Sequence, residues 1–141
     1  MYDRILVPMD GSQHSLKTLE TAINLVKKMG SNSKITVLHV NPSVRLYSDV
    51  GVNIDVDKVL AEEGKRIVEP AVQQLMEAGI ACDSVCAKGD PAKEICAEVQ
   101  RGNYDLTIMG SRGLGAFSEV VLGSVSHKVI QHASCPVLIV K

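Results

Sequence analysis

The strongest constraint on the fold is an alternation along the chain. Short apolar runs, too brief to be helices, are separated by longer segments whose apolar residues recur every three or four positions. The runs are Arg4-Ile-Leu-Val-Pro-Met9, Lys34-Ile-Thr-Val-Leu-His-Val40, Ile80 to Lys88, Asp105-Leu-Thr-Ile-Met109 and Pro136-Val-Leu-Ile-Val140. Between them, four segments show helical spacing: Leu16, Leu19, Ile23 and Val26; Val56, Val59, Leu60, Ile67, Val68, Ala71, Val72 and Leu75; Ile95 and Val99; and Val125, Val129 and Ile130. The predicted order is βαβαβαβαβ. Strands joined through helices run parallel, and near-continuously apolar strands need cover on both faces, so the chain reads as an α/β protein with an open parallel sheet and right-handed crossovers.

Local signals mark the boundaries. Asp10-Gly11-Ser12 stops the first strand, Gly30 ends the first helix, and Asn41-Pro42 ends the second strand. Gly89-Asp90-Pro91 opens the third helix, with Asp as cap and Pro at the first helical position. Pro70 falls inside the second helix, where a missing N–H is expected to kink or divide it. Residues 42–54 mix Pro, Ser, Tyr, Asp and Gly without a period and read as a mobile loop.

Composition narrows the class without naming a function. A chain of 141 residues suits one domain, 1–141, with a substantial core. Lys and Arg total 15 against 16 Asp and Glu, a balance that disfavours nucleic acid or an anionic membrane as partner. No stretch approaches the roughly 20 apolar residues that span a bilayer. Cys82, Cys86, Cys96 and Cys135 form no Cys-x-x-Cys pair and read as reduced, buried, small apolar residues of a cytoplasmic protein. Cys82 and Cys86 share a strand face but lie about 13 Å apart, too far for a direct disulfide.

Chemistry concentrates between Gly110 and Ser124, in Gly-Ser-Arg-Gly-Leu-Gly-Ala-Phe-Ser-Glu-Val-Val-Leu-Gly-Ser. Glycines admit close approach of main-chain N–H groups to an anion, serines add donors, and a helix beginning near Ser124 presents unpaired N–H groups. A phosphate, and hence a nucleotide, is the ligand this pattern suits. It is not a P-loop, since no Gly-Lys follows Gly110, Gly113 or Gly115. Nor is it a dinucleotide fingerprint, because the turn after the first strand carries Asp10, which would repel a diphosphate. Asp10 suits ribose hydroxyls or, with Ser12, a cap on the first helix. Arg112 reads either as a solvated charge or as a phosphate clamp. His39 reads as a satisfied core side chain and His14 as exposed. His127 and His132 are too poorly aligned on a helix for a metal pair.

Gly110, two residues, Gly113, nine residues and Gly123-Ser124, preceded by Asp105-Leu-Thr-Ile-Met109, resemble the ATP-binding signature of the universal stress protein family. Ile5-Leu-Val-Pro-Met-Asp10-Gly-Ser12, Leu38-His-Val40, Gly89-Asp90-Pro91 and Cys135-Pro-Val-Leu-Ile-Val140 fall where that family carries similar segments, so the resemblance spans the chain. It implies a Rossmann-like sheet of order 3-2-1-4-5 that binds ATP with Mg2+ or Mn2+ on the phosphates. By position, Pro8, Met9 and Asp10 would border the nucleoside and Val40 would meet adenine through its backbone. Met109, Gly110, Ser111, Arg112 and Gly113 would wrap ribose and phosphates, and Gly123, Ser124 and Val125 would complete the phosphate site.

Hydrolysis needs an oriented water and charge compensation, and neither a P-loop lysine nor a base beside the glycines is legible. The expected function is therefore a nucleotide-responsive binding protein, which the family resemblance places in stress adaptation, with slow ATP hydrolysis or autophosphorylation as the most catalysis expected. The alternatives are a slow ATPase or autophosphorylating enzyme, or a nucleotide-free interaction or chaperone-like module in which Gly110 to Gly123 is simply a turn before a capped helix. The apolar last strand, Val137-Leu-Ile-Val140, reads as a sheet edge suited to an antiparallel homodimer.

Overall fold

The computed structural model describes residues 2–42, 56–112 and 122–141. Its elements, in chain order, are β1 (Arg4–Pro8), α1 (Gln13–Met29), β2 (Lys34–Asn41), α2 (Val56–Glu77), β3 (Cys82–Lys88), α3 (Pro91–Gly102), β4 (Leu106–Gly110), α4 (Ser124–His132) and β5 (Val137–Val140). The five strands form one sheet of order β3-β2-β1-β4-β5, as expected. Every neighbouring pair is parallel, with Ile5 beside Ile35 and Leu106 and Ile108 beside Leu138.

Strand periodicity explains how β1 anchors both layers. Ile5, Leu6 and Val7 are all 0% exposed, yet successive side chains point to opposite faces. Ile5 and Val7 join Leu19, Ile23 and Val26 of α1 and Val68, Ala71 and Leu75 of α2. Leu6 joins Ala92, Ile95 and Val99 of α3 and Val129 of α4 on the other side. Burying each such side chain contributes about 1.5–3 kcal/mol, so the centre of the sheet is its most strongly held part.

The turns follow their residues. Gly11 has φ 83, with the Ile67 side chain 3.1 Å from where a Cβ would sit, and Gly30 closes α1 in the left-handed region. Ser12 caps α1 by accepting from Ser15 N–H, and Asp90 caps α3 by accepting from Lys93 N–H with Pro91 in the first turn.

Several expectations are corrected. Pro70 does not divide α2, which runs unbroken from Val56 to Glu77; Pro70 and Arg66 both lie on the exposed side, where water can serve the carbonyl left without its helical donor. Leu16, Val59 and Ile130 keep helical spacing but are 41%, 52% and 45% exposed. In α1 the buried places of the first turns go instead to Ser15 and Thr18, whose hydroxyls bond main-chain carbonyls. Cys86 is exposed and the other three cysteines are half-buried; Cys82 and Cys86 lie on the edge strand β3, Cys96 on α3 and Cys135 just before the edge strand β5. The third strand begins at Cys82, since Ile80 N–H closes the α2 terminus on Leu75 O. Most of the 42–54 loop lies outside the described residues.

Candidate functional site

β1 lies between β2 and β4, so the winding reverses at its carboxyl end, where a parallel sheet opens a crevice. A cleft of about 380 Å³ occupies this position. Pro8, Met9 and Asp10 enter it from the end of β1, Leu38, His39 and Val40 from β2, and Met109, Gly110 and Arg112 from the end of β4. Pro91 and Ile95 of α3, Ser15 of α1, and Gly123, Ser124, Val125 and Ser126 at the start of α4 complete the lining. Among the described residues no helix is long and apolar enough to cross a membrane.

Main-chain hydrogen bonds hold the rim. Met9 N–H donates to Leu38 O at 2.8 Å and Gly89 N–H to Asn41 O at 2.9 Å, tying the turn after β1 and the entry to α3 onto β2. Gly123 N–H donates to Ser111 O at 2.8 Å, which sets the start of α4 against the end of β4. Ser126, 4% exposed, donates its hydroxyl to Gly110 O at 2.7 Å. A buried main-chain carbonyl without a donor is costly, so this bond fixes Gly110 and α4 together.

Of the helices that begin at this end, α1, α3 and α4 differ in their caps. Ser12 and Asp90 satisfy first-turn donors of α1 and α3, whereas α4 starts from Gly123 with no side-chain cap bond. The first-turn N–H groups of a helix have no partner within it, and the aligned peptide dipoles place partial positive charge there. The uncapped start of α4 lies in the cleft wall, which suits it to an anion.

The structure brings together Pro8, Met9, Asp10, Val40, Met109, Gly110, Arg112, Gly123, Ser124 and Val125 of the residues expected from sequence. Ser111 does not line the cleft; its main chain links Gly123 N–H to Val140 O. Gly113 lies outside the described residues. Asp10 is not the cap of α1, since Ser12 is; Asp10 Oδ1 accepts Ser12 N–H at 2.9 Å and so shapes the turn.

Sequence reasoning missed Ser15, Leu38, His39, Pro91, Ile95 and Ser126 as lining. His39 is a satisfied buried side chain as expected, donating Nδ1–H to Met9 O at 2.9 Å, and it is also part of the wall. Ser126 carried a readable signal, a small polar residue in the first turn of α4 three places before Val129 and so on the same helix face. His14 is corrected from exposed to half-buried. Its Nε2–H donates to Val140 O at 2.8 Å, and its ring packs where a Cβ at Gly110 would lie. Among the described residues no three His, Cys, Asp or Glu side chains converge to hold a metal.

Comparison with known proteins agrees with this architecture. The sequence model of the universal stress protein family matches residues 1–141. The chain is 33% identical to universal stress protein YxiE of Bacillus subtilis over 150 residues, covering all of both chains. Among solved structures, hypothetical protein MJ0577 of Methanocaldococcus jannaschii superposes with a TM-score of 0.88 at 30% identity, covering 100% of this chain and 96% of that one. A universal stress protein family protein of Arabidopsis thaliana, solved with AMP bound, superposes with a TM-score of 0.76 at 27% identity, covering 99% and 91%. The chain belongs to the universal stress protein family.

Proposed function

We propose that the chain binds ATP in the cleft between β1 and β4 and acts as a nucleotide-responsive regulator in stress adaptation. The observation that carries this reading is the uncapped glycine start of α4 in the cleft wall, beside capped α1 and α3. In this reading the α- and β-phosphates sit against the Ser124 and Val125 N–H groups and the Ser124 hydroxyl, with Arg112 over the terminal phosphate. Asp10 meets the ribose, Met109 and Gly110 flank it, and adenine enters the apolar side between Val40 and Ile95. The Arabidopsis relative with bound AMP supports an adenylate as the ligand class. A Mg2+ or Mn2+ ion would be carried by the phosphates and would supply charge neutralisation there.

Retention of ATP is favoured over turnover because Asp10 is the one acidic residue among the described lining, and one of its oxygens holds Ser12 N–H. β5 is an edge strand with Leu138 39% exposed, which supports a homodimer through Val137–Val140. The deciding experiment is calorimetry with ATP and magnesium, alongside mass identification of any nucleotide released on denaturing the purified protein. Saturable binding near the micromolar range, about −8 kcal/mol, with unhydrolysed ATP recovered, is the expected result. The absence of both heat and a carried adenylate overturns it.

A further inference from the structure

Two thiols outside the cleft lining share one packed face. Cys96 lies on α3 and Cys135 between α4 and β5, and both pack against the cluster that includes Leu6, Val99 and Val129. Each is half-buried, so a small reagent can reach it. The Thr107 hydroxyl lies 3.3 Å from Cys135 Sγ, within hydrogen-bonding range, and is placed to donate to a thiolate formed there. Burial, and secondarily the neighbouring Cys135, push the Cys96 thiol up from its ordinary value. The remaining cysteines, Cys82 and Cys86, lie on β3, four strands from β5 and so roughly 19 Å away across the sheet.

We propose that Cys96 and Cys135 form a dithiol site oxidised by hydroperoxides. The Cys135 thiolate attacks the terminal oxygen of the hydroperoxide, the O–O bond breaks, and the departing alkoxide or hydroxide takes up a proton to leave as alcohol or water. The resulting Cys135 sulfenic acid is attacked by the Cys96 sulfur, which loses its proton; the S–O bond breaks, water leaves, and the S–S bond forms. Two thiols have lost two electrons and two protons, and the hydroperoxide has been reduced. The bridge ties α3, next to the cleft residue Ile95, to the start of β5. The segment it encloses contains β4, residues 110–123 and α4. The inference is independent of which ligand the cleft takes.

The test is exposure of the full chain to hydrogen peroxide, followed by intact mass and peptide mapping without reduction. The expected product is a monomeric chain lighter by two hydrogens, with the Cys96 and Cys135 peptides linked, which also requires their Cα atoms to come within about 7 Å. Cys82→Ser with Cys86→Ser leaves the product unchanged. Cys96→Ser stops at a Cys135 sulfenic acid that dimedone traps, and Cys135→Ser slows oxidation of Cys96 by about tenfold. Linkage through Cys82 or Cys86, cross-links only between chains, or a wild-type Cys135 that remains sulfenic or advances to sulfinic acid would overturn the proposal.

Discussion

The two ends of the sheet use polar groups in opposite ways. At the amino end they close on one another. Asp105 accepts from both Asp3 and Arg4 N–H at 2.9 Å, the buried Glu98 accepts from Tyr104 at 3.2 Å and pairs with Arg101, and the Arg4 guanidinium lies over the Tyr104 ring. At the carboxyl end the arrangement is pinned from behind, by Ser126 on Gly110 and His14 on Val140, while the first turn of α4 faces the cleft without a cap. One end closes on its own polar groups, and the other leaves first-turn donors of α4 uncapped beside a cleft. In a parallel sheet that division follows from every crossover helix beginning at the same end, so donors of all the helices collect there.

The sharpest way to break this comparison is to fill the close approach at Gly110. A Cβ there would overlap the His14 ring and come within 3.2 Å of Thr18 Oγ1. His14 cannot swing aside without losing Val140 O, so Gly110→Ala is expected to displace the end of β4 and lower ATP affinity about a hundredfold, about 2.7 kcal/mol by calorimetry. Undiminished affinity would mean that the ring moves and the β4 terminus is not the rigid wall described here.

The reciprocal change belongs to the amino end. Glu98→Ala leaves the Tyr104 hydroxyl and the Arg101 guanidinium without their buried acceptor and is expected to cost about 2 kcal/mol of unfolding free energy in denaturant titration. ATP affinity should stay within about twofold, since local losses distant from a site are close to additive. A parallel fall in affinity would show the two ends to be coupled.

These contrasts also separate what was legible in the sequence from what was not. The strands were legible because burial on both faces requires unbroken apolar runs, as in Ile5-Leu6-Val7, and the glycine pattern marked the cleft lining at Gly110 and Gly123. Side chains whose place depends on tertiary neighbours were not. His14 sits in the first turn of α1, where exposure is the default, and is drawn in by a carbonyl 126 residues away. His39 looked like core and is both core and cleft wall, a dual role that no local pattern encodes. Leu16 and Ile130 satisfy helical spacing yet face out, because the sheet covers a narrower stripe than the spacing allows.

Ser126→Ala tests the pin behind the cleft at smaller scale. Gly110 O loses its donor, which is expected to cost about 1 kcal/mol of stability and to weaken ATP binding about fivefold. Ser126→Thr, which keeps the hydroxyl, should recover most of both. Loss of stability without any change in affinity would assign Ser126 to packing alone.

The smallest effect appears in alkali. The Tyr104 hydroxyl is pushed above its ordinary value chiefly by burial, with Glu98 adding to the rise and a Thr36 hydrogen bond and Arg4 opposing it. A group whose folded value is raised contributes stability that is complete below the unfolded value, about 10 for tyrosine, and is lost as pH climbs through the folded value. Tyr104→Phe removes the Glu98 contact and is expected to cost about 1 kcal/mol at neutral pH. It also removes this titration, so the gap between wild type and variant should narrow above about pH 10. The cysteine titrations are common to both proteins and cancel in the difference. A gap that stays constant to higher pH would mean that Tyr104 ionises as easily folded as unfolded. The amino end would then be as open to solvent as the cleft, and the contrast between the two ends would fail.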